Sequence, residues 1–349
     1  MCRTRTIANR HGRDIVTGRG NISFTTVNLP RIGLKFGNAL NEGTDYDGFF
    51  NGLDDMCDLA IEQLVERYRF QCKKKVKNFP FLMGQGVWMG SKDLSPDDTL
   101  ESVIKHGSLS VGFIGLAECL VALIGKHHGE SQEARELGNK IISFMKEKVV
   151  NASNIYDLNF ALLATPAEGL SGGFIDSDRE MFGIVPGVND RKYYTNSFHV
   201  PVYFPISAFE KIDIEAPYHA LCDGGHITYV ELDGAASQNL EAFEAIIRHM
   251  KEAGIGYGSI NHPVDRCPKC GYNGIIGSIC PNCGATDKEV KFERTRRITG
   301  YLVGAMDRWN DAKLAEEADR VKHVLNMNLS KMEVNIKGNR AKFLFSENN

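Results

Sequence analysis

Residues 21–29 read Asn-Ile-Ser-Phe-Thr-Thr-Val-Asn-Leu, a run rich in β-branched and aromatic side chains that stops at Pro30. Such a run suits a pleated, half-buried surface and proline ends it, so the pattern predicts a strand followed by a turn. The period then changes. Over 54–75 the apolar residues Leu59, Ile61, Leu64 and Val65 fall at helical spacing, which predicts a helix. Residues 100–125 are predicted as a longer, buried helix. Short apolar runs at 160–164, 197–204 and 227–232 are predicted strands, and helices are predicted over 131–152 and 237–253. Short apolar strands alternating with helices of roughly ten to twenty residues favour an α/β fold with parallel strands, either an open sheet or a barrel.

Two stretches interrupt this alternation. Residues 257–265 contain Gly258 and Pro263, with Gly256 just before them, and are predicted to link the α/β region to a compact module at 267–283. Residues 326–349 are rich in Asn and Lys without a clear period and read as a loosely attached tail. The most apolar stretch, 109–125, is broken by Ser110, Gly112, Gly115 and Glu118. That composition predicts a buried helix and not a membrane span.

Composition narrows the partners. The 349 residues are long enough for a full core, and 42% apolar with 24% charged residues is ordinary for a globular chain. A net charge of -3 leaves no basic surplus to neutralise phosphates, which argues against nucleic acid or an anionic membrane as partner. Small molecules and protein are expected instead. The first twenty residues are rich in Arg and Gly and carry no apolar signal core, so neither secretion nor organelle import is expected, and the chain is placed in the cytoplasm.

Of nine cysteines, four form two knuckles: Cys267-Pro-Lys-Cys270, nine residues, Cys280-Pro-Asn-Cys283. The other five, Cys2, Cys57, Cys72, Cys119 and Cys222, are scattered and odd in number, which argues against a disulfide framework. Four thiolates at this double spacing, with Gly271 and Gly284 after each second cysteine to make a tight turn, point to a tetrahedral metal site. Zinc is the natural occupant and a rubredoxin-like iron the alternative. A closed four-sulfur site has no open position, so its role is structural.

Other residues carry weaker signals. Thr165-Pro166-Ala167-Glu168 follows a predicted strand and reads as a capping box, with Thr as cap and Pro at the first helical position. The amides at such a helix start form a ready anion site, although a plain capped helix explains the same residues. His127-His128 near Glu130 is read as a solvated helix end, and His199 and His226 as satisfied core histidines. Cys57, Cys72, Cys119 and Cys222 are read as core thiols, and Lys73-Lys74-Lys75 as a solvated face. Taken singly, Cys2 is an exposed cysteine, Asn21 a turn residue before a strand, and Thr299-Gly300-Tyr301 a turn.

Their combination changes this. Arg296-Arg297-Ile298-Thr299-Gly300-Tyr301-Leu302 follows directly on the cysteine knuckles, and Arg308-Trp309-Asn310 and Arg320-Val321-Lys322-His323 come after it. Met1-Cys2-Arg3-Thr4-Arg5, Gly18-Arg19-Gly20-Asn21 and Val27-Asn28-Leu29-Pro30-Arg31 open the chain. Together these resemble the C-terminal glycyl-radical segment and the catalytic finger loop of the anaerobic (class III) ribonucleoside-triphosphate reductases. The resemblance runs from Cys2 to about His323.

That resemblance implies a fold, a site and a reaction. The fold would be the C-terminal half of a ten-stranded glycyl-radical-enzyme α/β barrel: a half-barrel region at 1–256 with its finger loop at 1–31, a zinc-ribbon module at 257–290, a glycyl-radical segment at 291–325 and the tail at 326–349. Gly300 would carry the stored radical, since a glycine Cα can flatten and delocalise an electron over both flanking peptides. Cys2 would become the transient thiyl, Asn21 would contact the substrate ribose, and Thr165, Ala167 and Glu168 would hold the substrate phosphates. The implied partners are an S-adenosylmethionine-dependent iron–sulfur activase that takes hydrogen from Gly300, formate or a dithiol protein as reductant, the N-terminal half of the reductase, and a second copy of the complete enzyme in a homodimer. The alternatives are an inactive remnant, a radical-carrying spare part, and a zinc-ribbon binding module, the last of which would need a basic aromatic surface.

Overall fold

The computed structural model describes residues 4–6, 8–232, 239–261, 264–297 and 309–323. Its elements alternate as the pattern predicts. Strand β1 (Asn21–Asn28) is followed by helices α1 (Leu29–Phe36) and α2 (Tyr46–Cys72), short helix α3 (Glu101–Ile104), strand β2 (Ser108–Ile114), helices α4 (Leu116–Ile124) and α5 (Gln132–Tyr156), and strand β3 (Asn159–Ala164). Then come α6 (Leu170–Phe182), α7 (Ala208–Leu221), β4 (Thr228–Glu231), α8 (Leu240–Ala253) and β5 (Gly258–Asn261). Strands β6 (Val264–Arg266), β7 (Asn273–Gly274) and β8 (Glu293–Thr295) and helix α9 (Asp311–Asp319) complete it.

Strands β1, β2 and β3 lie side by side in sequence order and all parallel, with Val27 opposite Phe113 and Phe113 opposite Ala164. The next turn of chain extends this sheet. Gly225 makes a parallel bridge to Leu163, and the Ala164 amide donates to the Gly225 carbonyl at 2.9 Å. Gly225 leads straight into β4, which pairs parallel with β5. The described residues thus hold two parallel sheets, β1-β2-β3 and β4-β5, joined by this single bridge at Gly225.

Alternation along these strands separates two faces. Val27, Leu109, Val111, Phe113, Phe160 and Leu162 join the main core with Phe49, Leu53, Leu64, Leu120, Ile141 and Met145 of the helices. The opposite face of β1 and β2 carries Asn21, Phe24, Thr26, Ser108, Ser110 and Gly112, mostly small and polar around one aromatic ring. A parallel sheet buried on both sides normally reads as continuous aliphatic sequence. A polar second face in its place is what a site needs.

Residues 100–125 are not one helix. They fold as α3, β2 and α4, because Ser108, Ser110 and Gly112 alternate with Leu109, Val111 and Phe113 at the strand period of two. Gly115 then reverses the chain in a left-handed conformation (φ +75°), where a Cβ would run into the Pro30 ring. Residues 197–204 are not a strand either. Ser197 is left-handed (φ +42°) and Pro201 lacks an amide hydrogen, while Thr195 and Ser197 turn their carbonyls to the amides of Gly115 and Leu116 at 2.9 and 3.1 Å. This buried segment satisfies a helix start, not a ladder. The stretch expected to be a linker, 257–265, contains β5 and the start of β6. The expected strands at 21–29, 160–164 and 227–232 correspond to β1, β3 and β4, and the remaining helices to α2, α5 and α8. The 326–349 tail lies outside the described residues, among which no helix is long and apolar enough to cross a membrane.

Candidate functional site

Asn21 begins β1 where the β1–β2 register shifts, between Asn21 and Ser23. Its Nδ2 donates to Ser110 Oγ and lies 3.4 Å from Ser108 Oγ, so the amide is aimed across the polar face and held there. Residues 4–6 lie over the same face. Thr4 bridges Gly225 in antiparallel fashion, the Arg5 amide donates to the Gly224 carbonyl at 2.8 Å, and Thr6 Oγ1 is 3.4 Å from Ser108 Oγ. The Arg5 guanidinium is fixed by His226 Nε2 at 3.0 Å and the Gly256 carbonyl at 2.7 Å. Together they border a cavity of about 1050 Å³ lined by Thr4, Arg5, Thr6, Arg19, Asn21 and Arg67 among others. Cys2 lies outside the described residues.

At the carboxyl end of the strands the 165–168 turn departs from its predicted form. It is not a capping box. The Thr165 hydroxyl is buried 3.1 Å from Thr26 Oγ1 across the sheet, helix α6 starts only at Leu170, and its cap is Gly169, without a side-chain hydrogen bond. Ala167 is buried with φ +47°, a strain on the order of 1 kcal/mol that persists only where neighbours hold it. The amides of Ala167, Glu168 and Gly169 meet no acceptor among the described residues. Nearby, fully buried Asp178 accepts from Asn28 Nδ2 at 2.8 Å, Arg31 Nε at 2.6 Å and the Tyr194 hydroxyl at 2.8 Å, locking α6 to the start of α1.

The knuckles fold as expected. Gly271 and Gly284 are left-handed, and their amides close on the Cys267 and Cys280 carbonyls at 2.8 and 3.0 Å. The four sulfurs of Cys267, Cys270, Cys280 and Cys283 all lie within 4.8 Å of one another, with two pairs at 3.7 Å. Tetrahedral zinc at about 2.3 Å from each sulfur sets edges of about 3.8 Å. The donor set and its spacing thus fit a metal ion. Strands β6, β7 and β8 are antiparallel, and Asp265 on β6 pairs with Arg296 at 2.9 Å, so the module is tied to the chain leaving it.

Gly300 lies outside the described residues, as do Arg308 and the rest of 298–308, but both flanks of that segment are placed. Arg297 reaches Ser259 Oγ at 3.1 Å beside β5, and its carbonyl accepts from Arg320 at 2.9 Å. Trp309 is buried, and α9 packs on α6, where a Cβ at Gly172 would sit 2.8 Å from that of Ala312. His323 accepts from the Glu231 amide at the end of β4 at 2.9 Å.

Burial overturns one reading. His127 and His128 are not a solvated end: α4 stops at Ile124 and the chain folds back, so that His128 Nε2 donates to the Phe198 carbonyl at 2.8 Å and His127 packs edge-on to Phe204. Desolvation pushes both imidazoles down, to about 4 for His127 and about 3 for His128. His199 and His226 are buried and paired, with Glu215 Oε2 at 3.3 Å and the Cys222 carbonyl at 2.7 Å respectively. Cys57, Cys72, Cys119 and Cys222 are buried free thiols. Burial also pushes the Glu118 carboxyl up to about 7, against hydrogen bonds from the Thr195 amide and hydroxyl at 2.8 and 2.6 Å.

Ser108 and Ser110 are signalled in the sequence only by their strand alternation, Arg5 and Asn310 only as parts of the motifs that carry the resemblance, and Asn196 by nothing of its own. Comparison with known proteins follows the same outline. A family model described as NRDD, anaerobic ribonucleoside-triphosphate reductase, matches residues 1–323. The anaerobic ribonucleoside-triphosphate reductase of Salmonella typhimurium is 36% identical over 328 residues, which cover 91% of this chain and 44% of that protein. The enzyme of the same name from Enterobacteria phage T4 is 36% identical over 322 residues, 89% of this chain and 50% of the relative. This chain therefore spans about half the length of these curated relatives. A crystal structure of the anaerobic ribonucleotide reductase from Thermotoga maritima with MES in the active site superposes with a TM-score of 0.63 at 19% identity, covering 87% of this chain and 46% of that one. At that identity the likeness is one of fold.

Proposed function

The chain belongs to the anaerobic ribonucleoside-triphosphate reductase family, and from that premise we propose that it supplies the C-terminal half of such an enzyme and takes part in reducing ribonucleoside triphosphates to deoxyribonucleoside triphosphates for DNA synthesis. The five strands of these two parallel sheets form one half of a ten-stranded barrel, and the portion of its relatives that this chain does not span supplies the other half. Gly300 stores the radical and Cys2 becomes the thiyl, an S–H bond being close enough in strength to a Cα–H or ribose C–H bond for a hydrogen atom to shuttle reversibly. Cys2 takes the ribose 3′-hydrogen, the 2′-hydroxyl leaves as water, and formate or a dithiol protein supplies the reducing electrons.

The observation that carries this reading is the shared cavity. Asn21 and Thr4, Arg5 and Thr6, the residues that follow the proposed thiyl cysteine in sequence, line the same space. The strained 165–168 turn, with its three consecutive amides, suits the triphosphate. Glu168 serves there as part of the turn, since its own carboxylate would repel the ligand.

Zinc is proposed for the four cysteines as a structural ion that braces the approach to Gly300. An activase of the S-adenosylmethionine-dependent iron–sulfur type generates the radical, the complete enzyme pairs as a homodimer, and its setting is an anaerobic cytosol. The test is reconstitution. With the complementary half, the activase, S-adenosylmethionine and strict anaerobiosis, the chain should form deoxyribonucleotide, and Cys2→Ser should abolish turnover while leaving the glycyl radical in place. Undiminished turnover in the Cys2→Ser protein would show that a different cysteine does the chemistry.

A further inference from the structure

Two residues of the metal module grip the chain that joins its knuckles. Asp265, its side chain fully buried on β6 just before Cys267, accepts from the Ile276 amide at 2.9 Å. Arg294, its neighbour on β8, donates to the Ile276 and Gly277 carbonyls at 2.7 and 2.8 Å. Ile276 is itself buried with Cys267 and Cys280. Each close sulfur pair takes one cysteine from either knuckle, Cys267 with Cys283 and Cys270 with Cys280. The spacing of those pairs therefore depends on the 271–279 connection, and Asp265 and Arg294 hold that connection by its donor and its acceptors alike.

Asp265 also takes the Arg296 guanidinium with both of its oxygens, and from Arg296 the charges alternate outward. Its Nε lies 3.5 Å from Glu317 on α9, and Glu317 lies 3.2 Å from Arg320 just past the helix. Arg320 in turn lies 3.0 Å from Glu231 at the end of β4, to which Asn261 of β5 donates at 2.9 Å. From Arg294 to Glu231, cations and carboxylates thus follow one another in strict alternation, from between the knuckles to the β4–β5 sheet. Side-chain exposure is 20% at Arg294 and no more than 14% at the other five, so solvent screens the array little. An array of this kind adds little net stability, yet removal of one member leaves its neighbours' charge uncompensated.

We propose that this ladder makes retention of the metal depend on the seating of its module against α9 and the β4–β5 sheet, with Asp265 as the positioning residue where the two meet. The proposal rests on the reading of the four cysteines as a metal site. Asp265 serves both sides with one carboxylate: Arg296 fixes its orientation, and in that orientation it holds the Ile276 amide. When Glu317 or Arg320 is lost, Arg296 loses the outer charges that steady it, and Asp265 loses its fixed orientation. The 271–279 connection is then free to let the sulfur pairs drift apart, and a metal held between them leaves sooner. By linkage the dependence runs both ways, so a metal that fixes the knuckles also fixes the charges that seat the module.

Release of metal from the zinc-loaded full chain to a chromogenic chelator, pyridylazoresorcinol, under reducing and anaerobic conditions tests this. Glu317→Ala and Arg320→Met remove charges that lie outside the module and leave every cysteine in place. Each should speed release by at least about fivefold, the lower end of ordinary coupling strengths. Leu53→Ala opens a cavity in the main core and controls for general loosening, so it should leave the rate unchanged. Stripping zinc from the wild-type chain should in turn speed hydrogen–deuterium exchange at 311–320, which carries no cysteine. Release as slow in both variants as in the wild type overturns the proposal, as does release equally fast in Leu53→Ala. Exchange at 311–320 that ignores the metal overturns it too, and this arm decides by itself if neither charge variant folds. A wild-type chain that takes up no zinc overturns the metal reading and the coupling with it, and its metal content tells that failure apart.

Discussion

Glu118 sits in the first turn of α4, fully buried, with Oε1 taking both hydrogen bonds from Thr195 and Oε2 taking none among the described residues. Burial favours its neutral form and holds its pKa near 7, against 4.5 ordinarily. The folded chain therefore binds a proton here that the unfolded chain has released between about pH 4.5 and 7. That stabilisation is complete below the lower value and is lost as pH rises through the upper one. A shift of this size is worth roughly 3 kcal/mol. Glu118→Gln should accordingly lose ground to the wild type at pH 5 and gain on it at pH 8 in urea titrations. A difference between the two proteins that does not change with pH would show that the carboxyl is ionised throughout.

At the scale of elements, what could be read from the sequence depended on how loudly each period spoke. The knuckles at 267–283 were legible because thiol spacing and the following glycines leave one geometry, and the sulfurs take it up. Strand β2 was not, since a run that is apolar on average reads alike as a buried strand or a buried helix; only the alternation from Ser108 to Gly112 separates them. That misreading hid the face on which Asn21 stands. The 165–168 turn was placed correctly and shaped wrongly, because the hydroxyl that would cap a local helix is spent on Thr26, 139 residues away in the chain. Long-range pairing of this kind has no local signature. The knuckle element also makes a prediction of its own. The purified chain should hold about one zinc through four thiolates, and Cys267→Ser should release it and loosen the Arg296–Asp265 tie into the neighbouring strand. Elemental analysis of anaerobically prepared protein that finds no metal with all four cysteines intact would contradict this.

Across the whole molecule, burial of imidazoles sets the response to acid. Desolvation pushes His127 to about 4 and His128, His219 and His323 to about 3. An unfolded histidine titrates near 6.5, so between about pH 6.5 and 4 the unfolded chain binds protons that the folded one refuses. The stability these groups contribute is complete above the unfolded value and drains as pH falls, by up to roughly 1.4 kcal/mol per pH unit for each. Glu118 and Glu317, whose carboxyls burial pushes up, oppose them over part of that range. The urea midpoint should fall clearly between pH 7.5 and pH 5, and an unchanged midpoint would mean that these histidines are hydrated.

The radical reading has one direct test. The anaerobic chain, treated with the activase and S-adenosylmethionine, should give an electron paramagnetic resonance doublet from the single α-hydrogen left on Gly300, and Gly300→Ala should abolish it. A doublet that persists in the Gly300→Ala chain would place the radical elsewhere, and no signal from a metal-loaded wild-type chain would contradict the account at its centre.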